Sequence, residues 1–240
     1  MSTDRNKGFL PSGSASFALQ GGVSERQLEG EALPSRSRRL YETLGVAFLL
    51  VLVNALVAVS GSLSEWIFMP GSVAGGEWWR LLSGPLVHVS WYHLLLDGAA
   101  FLLLLTQLRN ERAAVRWAYV VSAALASMAF ALALSPAIWE RGLCGLSGAA
   151  HGLMAITALE MIRKDDGLGR RYGWIALGLV ISKSVIEALS GQVLFSWLHF
   201  GLVGDPVAIC HLGGVLGGMV AFAVLEGRGC HERIQATATA

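Results

Sequence analysis

A serine followed by glycine, Ser147-Gly148, opens one membrane-length apolar stretch of the chain, and a histidine, His211, opens another. Hydrocarbon contains no water to satisfy polar groups, so a hydroxyl and an imidazole retained at similar depth require a reason. The simplest reason is chemical, because the imidazole can take the proton of the hydroxyl and make Ser147 a nucleophile. The pairing predicts a protease that works inside the bilayer.

Glycines lie on both sides of the serine, in the segment Cys144-Gly145-Leu146-Ser147-Gly148-Ala149-Ala150-His151-Gly152. They allow a close approach of the backbone and leave space for a substrate strand. A serine at a helix N-terminus also has free N–H groups near it, which can stabilise an oxyanion. The alternative for this segment alone is a helix contact through small residues, in which Ser147 only packs.

Two overlapping GxxxG spacings follow His211: Gly213 with Gly217, and Gly214 with Gly218. Such spacings let two membrane helices approach closely. If the partner is the helix that begins at Ser147, the same glycines bring His211 within hydrogen-bond distance of the hydroxyl. A lone intramembrane histidine could instead be a proton relay or a packed structural residue.

Two further polar pairs lie within apolar segments. His93 and Asp97 are four residues apart, on one face of the second segment, and could donate hydrogen bonds to a developing oxyanion. Lys183 and Glu187 have the same spacing in the fifth segment. Intramembrane charges suggest function, but a neutralising structural pair fits as well as a contact with the polar end of a substrate.

Composition identifies a polytopic membrane protein. Hydrophobic residues make up 54% of the 240 residues and charged residues only 15%, whereas soluble domains carry about 25% charged residues. The net charge of +1 gives no argument for a nucleic-acid partner. The three cysteines form no CxxC pair and there is no HExxH, which disfavours a zinc-dependent protease, so we expect no metal and no cofactor.

Six segments approach the roughly 20 apolar residues that a spanning helix needs: 43–60, 93–108, 114–134, 147–162, 172–190 and 207–225. The second and fourth are short and begin at polar residues, so we expect them to start below the membrane surface, beside a water-accessible cavity. The long first loop, 61–92, is rich in tryptophan and suits the interface. We predict an all-α membrane protein with a disordered tail at 1–40, a six-helix domain at 41–227 and a C-terminal tail at 228–240.

The basic residues predict the orientation. Most of the 18 Lys and Arg residues lie in the two tails and in the connections after the second and fourth segments. The opposite side has only Arg80 and Arg141. The positive-inside bias therefore places both termini in the cytoplasm, and Ser147 and His211 at the extracytoplasmic ends of their helices. The predicted location is the inner (cytoplasmic) membrane.

The order and spacing of these motifs, from residue 43 to about 225, resemble the rhomboid family of intramembrane serine proteases. The matching features are six spans, Trp79-Arg80 in the first loop, HxxxxHxxx followed by a polar residue, GxSG and HxxG. The resemblance implies Ser147 as nucleophile and His211 as general base, without a third acid. It further implies an oxyanion hole and three supporting residues: the Ser147 N–H, His93 and the Asp97 position for the hole, with Arg80, His88 and Gly145 in support.

The chain departs from the family pattern at two positions. Rhomboids usually have asparagine at the position of Asp97, and a carboxylate would repel an oxyanion. Burial could keep the carboxyl protonated so that it donates, or it could accept from His93 and orient that ring. His151 replaces an aromatic residue that stacks on the base histidine in many rhomboids. We rank stacking on His211 first, before substrate recognition or competition as the base.

The motif GLSGAAHG is similar to the rhombosortase subgroup, which is thought to remove C-terminal tails containing a diglycine, an apolar helix and basic residues from exported proteins. The implied partners are lipids and transmembrane substrates with such a helical tail. If the catalytic pair is close, Cys144 and Cys210 could also pair as a disulfide on the oxidising face; the alternative is two buried apolar thiols.

Other functions remain open at this point. One is a general rhomboid protease that acts on other single-span substrates. Another is a proton-coupled transporter using His93, Asp97, Lys183 and Glu187, although no inverted repeat supports it. A third is a non-catalytic relative that binds membrane helices, against which the retention of Ser147 and His211 argues.

Overall fold

The computed structural model describes the backbone of residues 35–238 and the side chains of residues 37–227. Most of the predicted N-terminal tail, residues 1–34, lies outside the described residues. The first helix begins at Ser35, inside the segment expected to be disordered. The predicted C-terminal tail is helical in its backbone as far as Ala238.

The described part of the chain contains nine α-helices, three short 3₁₀ turns and one isolated β-bridge, between Phe68 and Leu143. The helices are α1 (Ser35–Ser60), α2 (Pro70–Ala74), α3 (Arg80–Ser83), α4 (Trp91–Gln107), α5 (Ala113–Leu134), α6 (Ile138–Arg141), α7 (Ser147–Lys164), α8 (Gly167–Ser190) and α9 (Ile209–Ala238). The expected all-α membrane architecture is confirmed.

Six of these helices are long, and each covers one of the predicted apolar segments. By length and apolarity, four described helices qualify as membrane spans: α1, α5, α8 and α9. A fifth span results if Arg80–Leu86 and α4, which meet at a bend of 94°, are counted together. The short helix α7 does not qualify, so the count of six spans stays a prediction.

Helix α7 can be less apolar than its neighbours because it is the central helix of the bundle. It packs against α4, α5, α8 and α9, and half of its residues are buried against them. A helix enclosed by protein does not need the apolar surface that lipid requires of its neighbours. The enclosure allows α7 to carry His151 and the fully buried Glu160.

Glycines set the crossing of α7 and α9. A Cβ on Gly218 would lie 2.6 Å from the carbonyl oxygen of Gly152, and one on Gly152 would lie 2.5 Å from that of Gly214. A Cβ on Gly214 would likewise collide with the carbonyl of Gly148. The backbones are therefore in direct contact, and of the two GxxxG pairs it is Gly214–Gly218 that packs on the serine helix.

The other GxxxG pair faces a different helix. A Cβ on Gly213 would lie 2.6 Å from the carbonyl oxygen of Ala126, and one on Gly217 would lie 2.8 Å from that of Ser122, both in α5. The two pairs differ by one residue, which is a rotation of about 100° around a helix. Helix α9 is therefore held closely on two sides, and its rotation about its own axis is fixed.

The first loop is built around a buried arginine. Arg80 is 6% exposed and its Nη1 donates to the carbonyl oxygens of Ser64, at 2.6 Å, and Ile67, at 3.0 Å. Its Nε pairs with Glu77. The neighbouring Trp78 and Trp79 are exposed, as expected for side chains at headgroup depth. Arg80 thus holds together a loop with little regular structure.

Charged residues connect the helix ends at the opposite face of the bundle. Arg109 forms a two-pronged ion pair with Asp165, and its hydrogen bonds hold the pKa of that carboxyl below its usual value. The Arg109 N–H donates to Glu160 Oε2 at 2.7 Å, and Lys164 pairs with the other oxygen of that carboxylate at 3.0 Å. These contacts join the connection after α4 to the end of α7.

Candidate active site

A cavity of about 480 Å³ lies where the first turns of α4, α7 and α9 meet the last turns of α8 and the connection that follows it. Most of the side chains predicted to act line this cavity: His93, Asp97, Cys144, Ser147, His151, Cys210 and His211. Lys183 lines it as well. The supporting residues Arg80, His88 and Gly145 do not. A cavity beside helices that begin within the protein is the arrangement expected from the sequence.

Ser147 is the first residue of α7, after a turn that requires glycine. Gly145 has a φ of +95°, and a Cβ there would lie 2.8 Å from Asp97 Oδ2 and 3.0 Å from His93 Nε2. Any side chain at position 145 would therefore be strained and would also push into these two polar groups. Gly145 brings the start of α7 close against α4.

One oxygen of Asp97 is in contact with two nitrogens, and the Ser147 N–H donates a hydrogen bond to it. Its Oδ2 lies 3.1 Å from the Ser147 backbone nitrogen and 3.0 Å from His93 Nε2. The buried His88 ring packs edge-on against His93, with centroids 4.9 Å apart, and its Nε2 lies 3.8 Å from the same oxygen. Of the two roles considered for Asp97, this geometry corresponds to accepting from His93. The second contact, to the Ser147 N–H, was not anticipated.

His211 is buried beside a carboxylate that our sequence analysis did not connect with it. Its Nδ1 lies 2.7 Å from Glu187 Oε2, and the two residues are 4% and 0% exposed. In the described part of the chain, no hydrogen bond joins the Ser147 hydroxyl to the His211 ring, although both line the cavity. The signal that could have identified Glu187 was its position as an acid inside a predicted span.

His151 stacks on His211. The ring centroids are 4.0 Å apart and the ring planes differ by 10°. His151 Nδ1 lies 2.7 Å from the Ser147 carbonyl oxygen, and Nε2 lies 3.0 Å from Lys183 Nζ. Because a carbonyl only accepts and an ammonium only donates, Nδ1 carries the proton and Nε2 does not. Both ring nitrogens are engaged, which disfavours His151 as a competing base.

Lys183 and Glu187 are paired, at 2.5 Å between Nζ and Oε1. The same carboxylate oxygen accepts from the backbone N–H of Leu194, at 2.8 Å, in the connection after α8. The pair therefore contacts both stacked histidines and the loop above them. The neutralising interaction considered from the sequence is present, with additional contacts to the site.

The supporting residues His88 and Arg80 are not part of the cavity lining. The His88 backbone N–H donates to Asn54 Oδ1 at 2.8 Å, and Asn54 donates in turn to the Leu86 carbonyl oxygen, also at 2.8 Å. This contact ties the start of α4 to α1. Arg80 acts on the first loop, as described above.

The disulfide considered between Cys144 and Cys210 is absent from the structure, in which both are free thiols. Cys210 is buried in an apolar cluster with Phe68, Met128 and Ile138. The packing of this small apolar side chain accounts for its position, as in the alternative of buried thiols.

One set of side chains has the composition of a metal site. Ligand atoms of His151, Glu187 and His211 lie within 4.8 Å of one another. The Lys183 ammonium is bonded to two of these three residues, at His151 Nε2 and Glu187 Oε1. The cation that these ligands would attract is thus supplied by the chain itself, and a metal ion there would be repelled by the ammonium.

Comparisons with known proteins identify the family of this chain. The family model described as the Rhomboid domain matches residues 75–228, a range that contains the whole cavity lining. A Bacillus subtilis protein named "Putative rhomboid protease YdcA" is 25% identical over 150 residues, covering 62% of this chain and 67% of that protein. No solved structure gives a significant match. The chain therefore belongs to the rhomboid family, which indicates a multi-pass intramembrane serine protease.

Proposed function

We propose that the chain hydrolyses peptide bonds of transmembrane substrates with Ser147 as nucleophile and His211 as general base. The observation that carries the proposal is that two nitrogens, His93 Nε2 and the Ser147 backbone nitrogen, lie 3.0 and 3.1 Å from one carboxylate oxygen. Donors at this distance from an anionic oxygen are what an oxyanion hole requires. They lie beside the candidate nucleophile in a cavity that also holds the candidate base.

The first step is attack of Ser147 Oγ on the scissile carbonyl carbon. The hydroxyl proton passes to Nε2 of His211, since Nδ1 faces Glu187. The imidazolium then donates this proton to the leaving amine, and a covalent acyl-enzyme remains. Water hydrolyses the acyl-enzyme by the same route. Catalytic hydrogen bonds are often formed only in the substrate complex, so their absence beforehand does not argue against the pair.

The carbonyl oxygen becomes negative in the transition state and binds the two donors now held by Asp97. The carboxylate must therefore turn away or take up a proton before the oxyanion forms, because two like charges repel at this distance. Each donor of such a hole typically contributes about 3 to 4 kcal/mol to the barrier. Asp97 thus acts as a competitor for the oxyanion hole of its own enzyme.

The proposed substrates are exported proteins with a C-terminal diglycine, an apolar helix and basic residues, as in the rhombosortase subgroup. The similarity of the Ser147 motif to that subgroup supports this assignment. The substrate helix would unwind at its small residues and enter the cavity from the side. Cleavage of other single-span proteins is the alternative.

The proposed location is the inner membrane, with both termini cytoplasmic and the cavity toward the extracytoplasmic side. The distribution of Lys and Arg supports this orientation. The transporter alternative has less support: His93, Asp97, Lys183 and Glu187 lie around one cavity at one end of the bundle, whereas a proton path needs groups across the membrane.

Co-expression with a reporter that carries a diglycine-and-helix tail tests the proposal. Wild-type protein should release the reporter, and the Ser147→Ala and His211→Ala variants should not. A matched reporter with the same helix but without the diglycine separates the two substrate classes. Equal cleavage of both reporters would favour the general protease, and cleavage by Ser147→Ala would refute the proposed nucleophile.

A further inference from the structure

We propose that Glu187 is a positioning residue for the general base, so that the catalytic unit is a Ser–His–Glu arrangement and not a dyad. The inference rests on the proposed function, since it assigns a partner to His211. The resemblance to the rhomboid family implied a base without a third acid. The structure places a carboxylate from α8 against Nδ1 of that ring.

The contact fixes the tautomer of His211. An ionised carboxylate only accepts hydrogen bonds, so His211 Nδ1, at 2.7 Å from Glu187 Oε2, must carry the ring proton. Nε2 then carries the lone pair that receives the proton of Ser147. A ring free to adopt the other tautomer would present an N–H to the hydroxyl and could not act as base.

Glu187 is itself held in place by two donors at its other oxygen. Lys183 Nζ lies 2.5 Å and the Leu194 backbone nitrogen 2.8 Å from Oε1. These bonds offset the free-energy cost of burying a carboxylate that has no exposed surface. They also fix its second oxygen toward His211, since a carboxylate with one oxygen anchored twice has little freedom to turn.

The charges of the network fit the proposed reaction. The proposed base must start as an uncharged imidazole, and the Lys183 ammonium and the Glu187 carboxylate beside it neutralise each other. When His211 takes the proton, its positive charge forms next to the carboxylate, which favours the imidazolium. Lys183 also donates to His151 Nε2, at 3.0 Å, and so holds the ring that stacks on His211.

A simpler interpretation is that Glu187 only neutralises Lys183 and has no effect on His211. The two interpretations differ in what happens when both charges are removed. If Glu187 serves Lys183 alone, it becomes dispensable once Lys183 is replaced by methionine. If Glu187 acts on His211, its loss slows the reaction in either background.

The test measures the rate constant for labelling of Ser147 by a fluorophosphonate in the detergent-solubilised full chain. The variants are Glu187→Gln, Lys183→Met and the double variant. Loss of the corresponding carboxylate in a serine protease triad slows catalysis by about 10⁴-fold, and we expect a fall of at least about 100-fold here. The double variant should label at least about 10-fold more slowly than Lys183→Met. Equal rates for those two proteins would overturn the proposal.

A conservative variant separates positioning from folding. Glu187→Asp retains a carboxylate on a shorter side chain and should label faster than Glu187→Gln, while reporter cleavage by Glu187→Gln should show a lower kcat with little change in KM. If Glu187→Gln does not fold, as judged by its Tm, the double variant carries the test because it leaves no unpaired ammonium. A double variant that labels as fast as Lys183→Met refutes the role.

Failure of the inference is distinguishable from failure of the proposed function. If wild-type Ser147 is not labelled, or if His211→Ala labels as fast as wild type, the serine protease assignment fails. If His211→Ala abolishes labelling and both Glu187→Gln proteins label at the rates of their parents, the base is correct and only the role of Glu187 fails.

Discussion

Replacing Asp97 by asparagine should make the enzyme faster. Asp97 Oδ2 lies 3.1 Å from the Ser147 nitrogen and 3.0 Å from His93 Nε2, where the oxyanion is proposed to bind. Two unit charges about 4 Å apart repel by about 4 kcal/mol at an effective dielectric constant of about 20. The carboxylate can relieve part of this repulsion by turning into the cavity, so we expect a gain of about 1 to 3 kcal/mol, which is about 5- to 150-fold in kcat.

The assay is reporter cleavage by purified Asp97→Asn and wild-type protein over a range of pH. The advantage of the variant should shrink as the pH falls, because protonation of Asp97 removes the same negative charge. Comparing the two proteins at each pH cancels the titration of His211, which both retain. Complete loss of activity in a folded Asp97→Asn protein would refute the competitor role and would mean that the carboxylate is needed to orient His93.

Three further substitutions test other parts of the structure. His151→Phe keeps the stacked ring and loses two hydrogen bonds of about 1 kcal/mol each. The rate of reporter cleavage should therefore stay within about 30-fold of the wild-type rate. A loss of cleavage as complete as in His211→Ala would give His151 a direct role. Gly218→Val inserts a side chain whose Cβ would lie only 2.6 Å from the Gly152 carbonyl oxygen. Tm should fall clearly, because overpacking costs about 1 to 3 kcal/mol. An unchanged Tm would contradict the close crossing of α7 and α9. Arg80→Met leaves two carbonyl oxygens of the first loop without their donor. Each buried oxygen left without a partner costs about 1 to 3 kcal/mol, so proteolysis of that loop should accelerate by about 10-fold or more. Unchanged proteolysis would show that the loop is held by other contacts.

The sequence by itself determined the positions of the helices and named the candidate reactive residues. The length of an apolar segment and the helix-breaking residues at its ends are local properties of the sequence. The predicted start of the fourth segment at Ser147 therefore coincides with the start of α7. The spacing of His93 and Asp97 likewise fixed their contact, because residues four apart on one helix are neighbours whatever surrounds them. The same rule fixed the pair Lys183–Glu187.

Tertiary structure alone decided which helix faces meet. Two GxxxG pairs one residue apart were equally eligible to pack on α7, and only the rotation of α9 assigned Gly214–Gly218 to that helix and Gly213–Gly217 to α5. The same rotation, with the depth of α8, brings Glu187 to His211 across 24 positions of sequence. Helix rotation and depth depend on the sum of many small packing contacts, which no local pattern records.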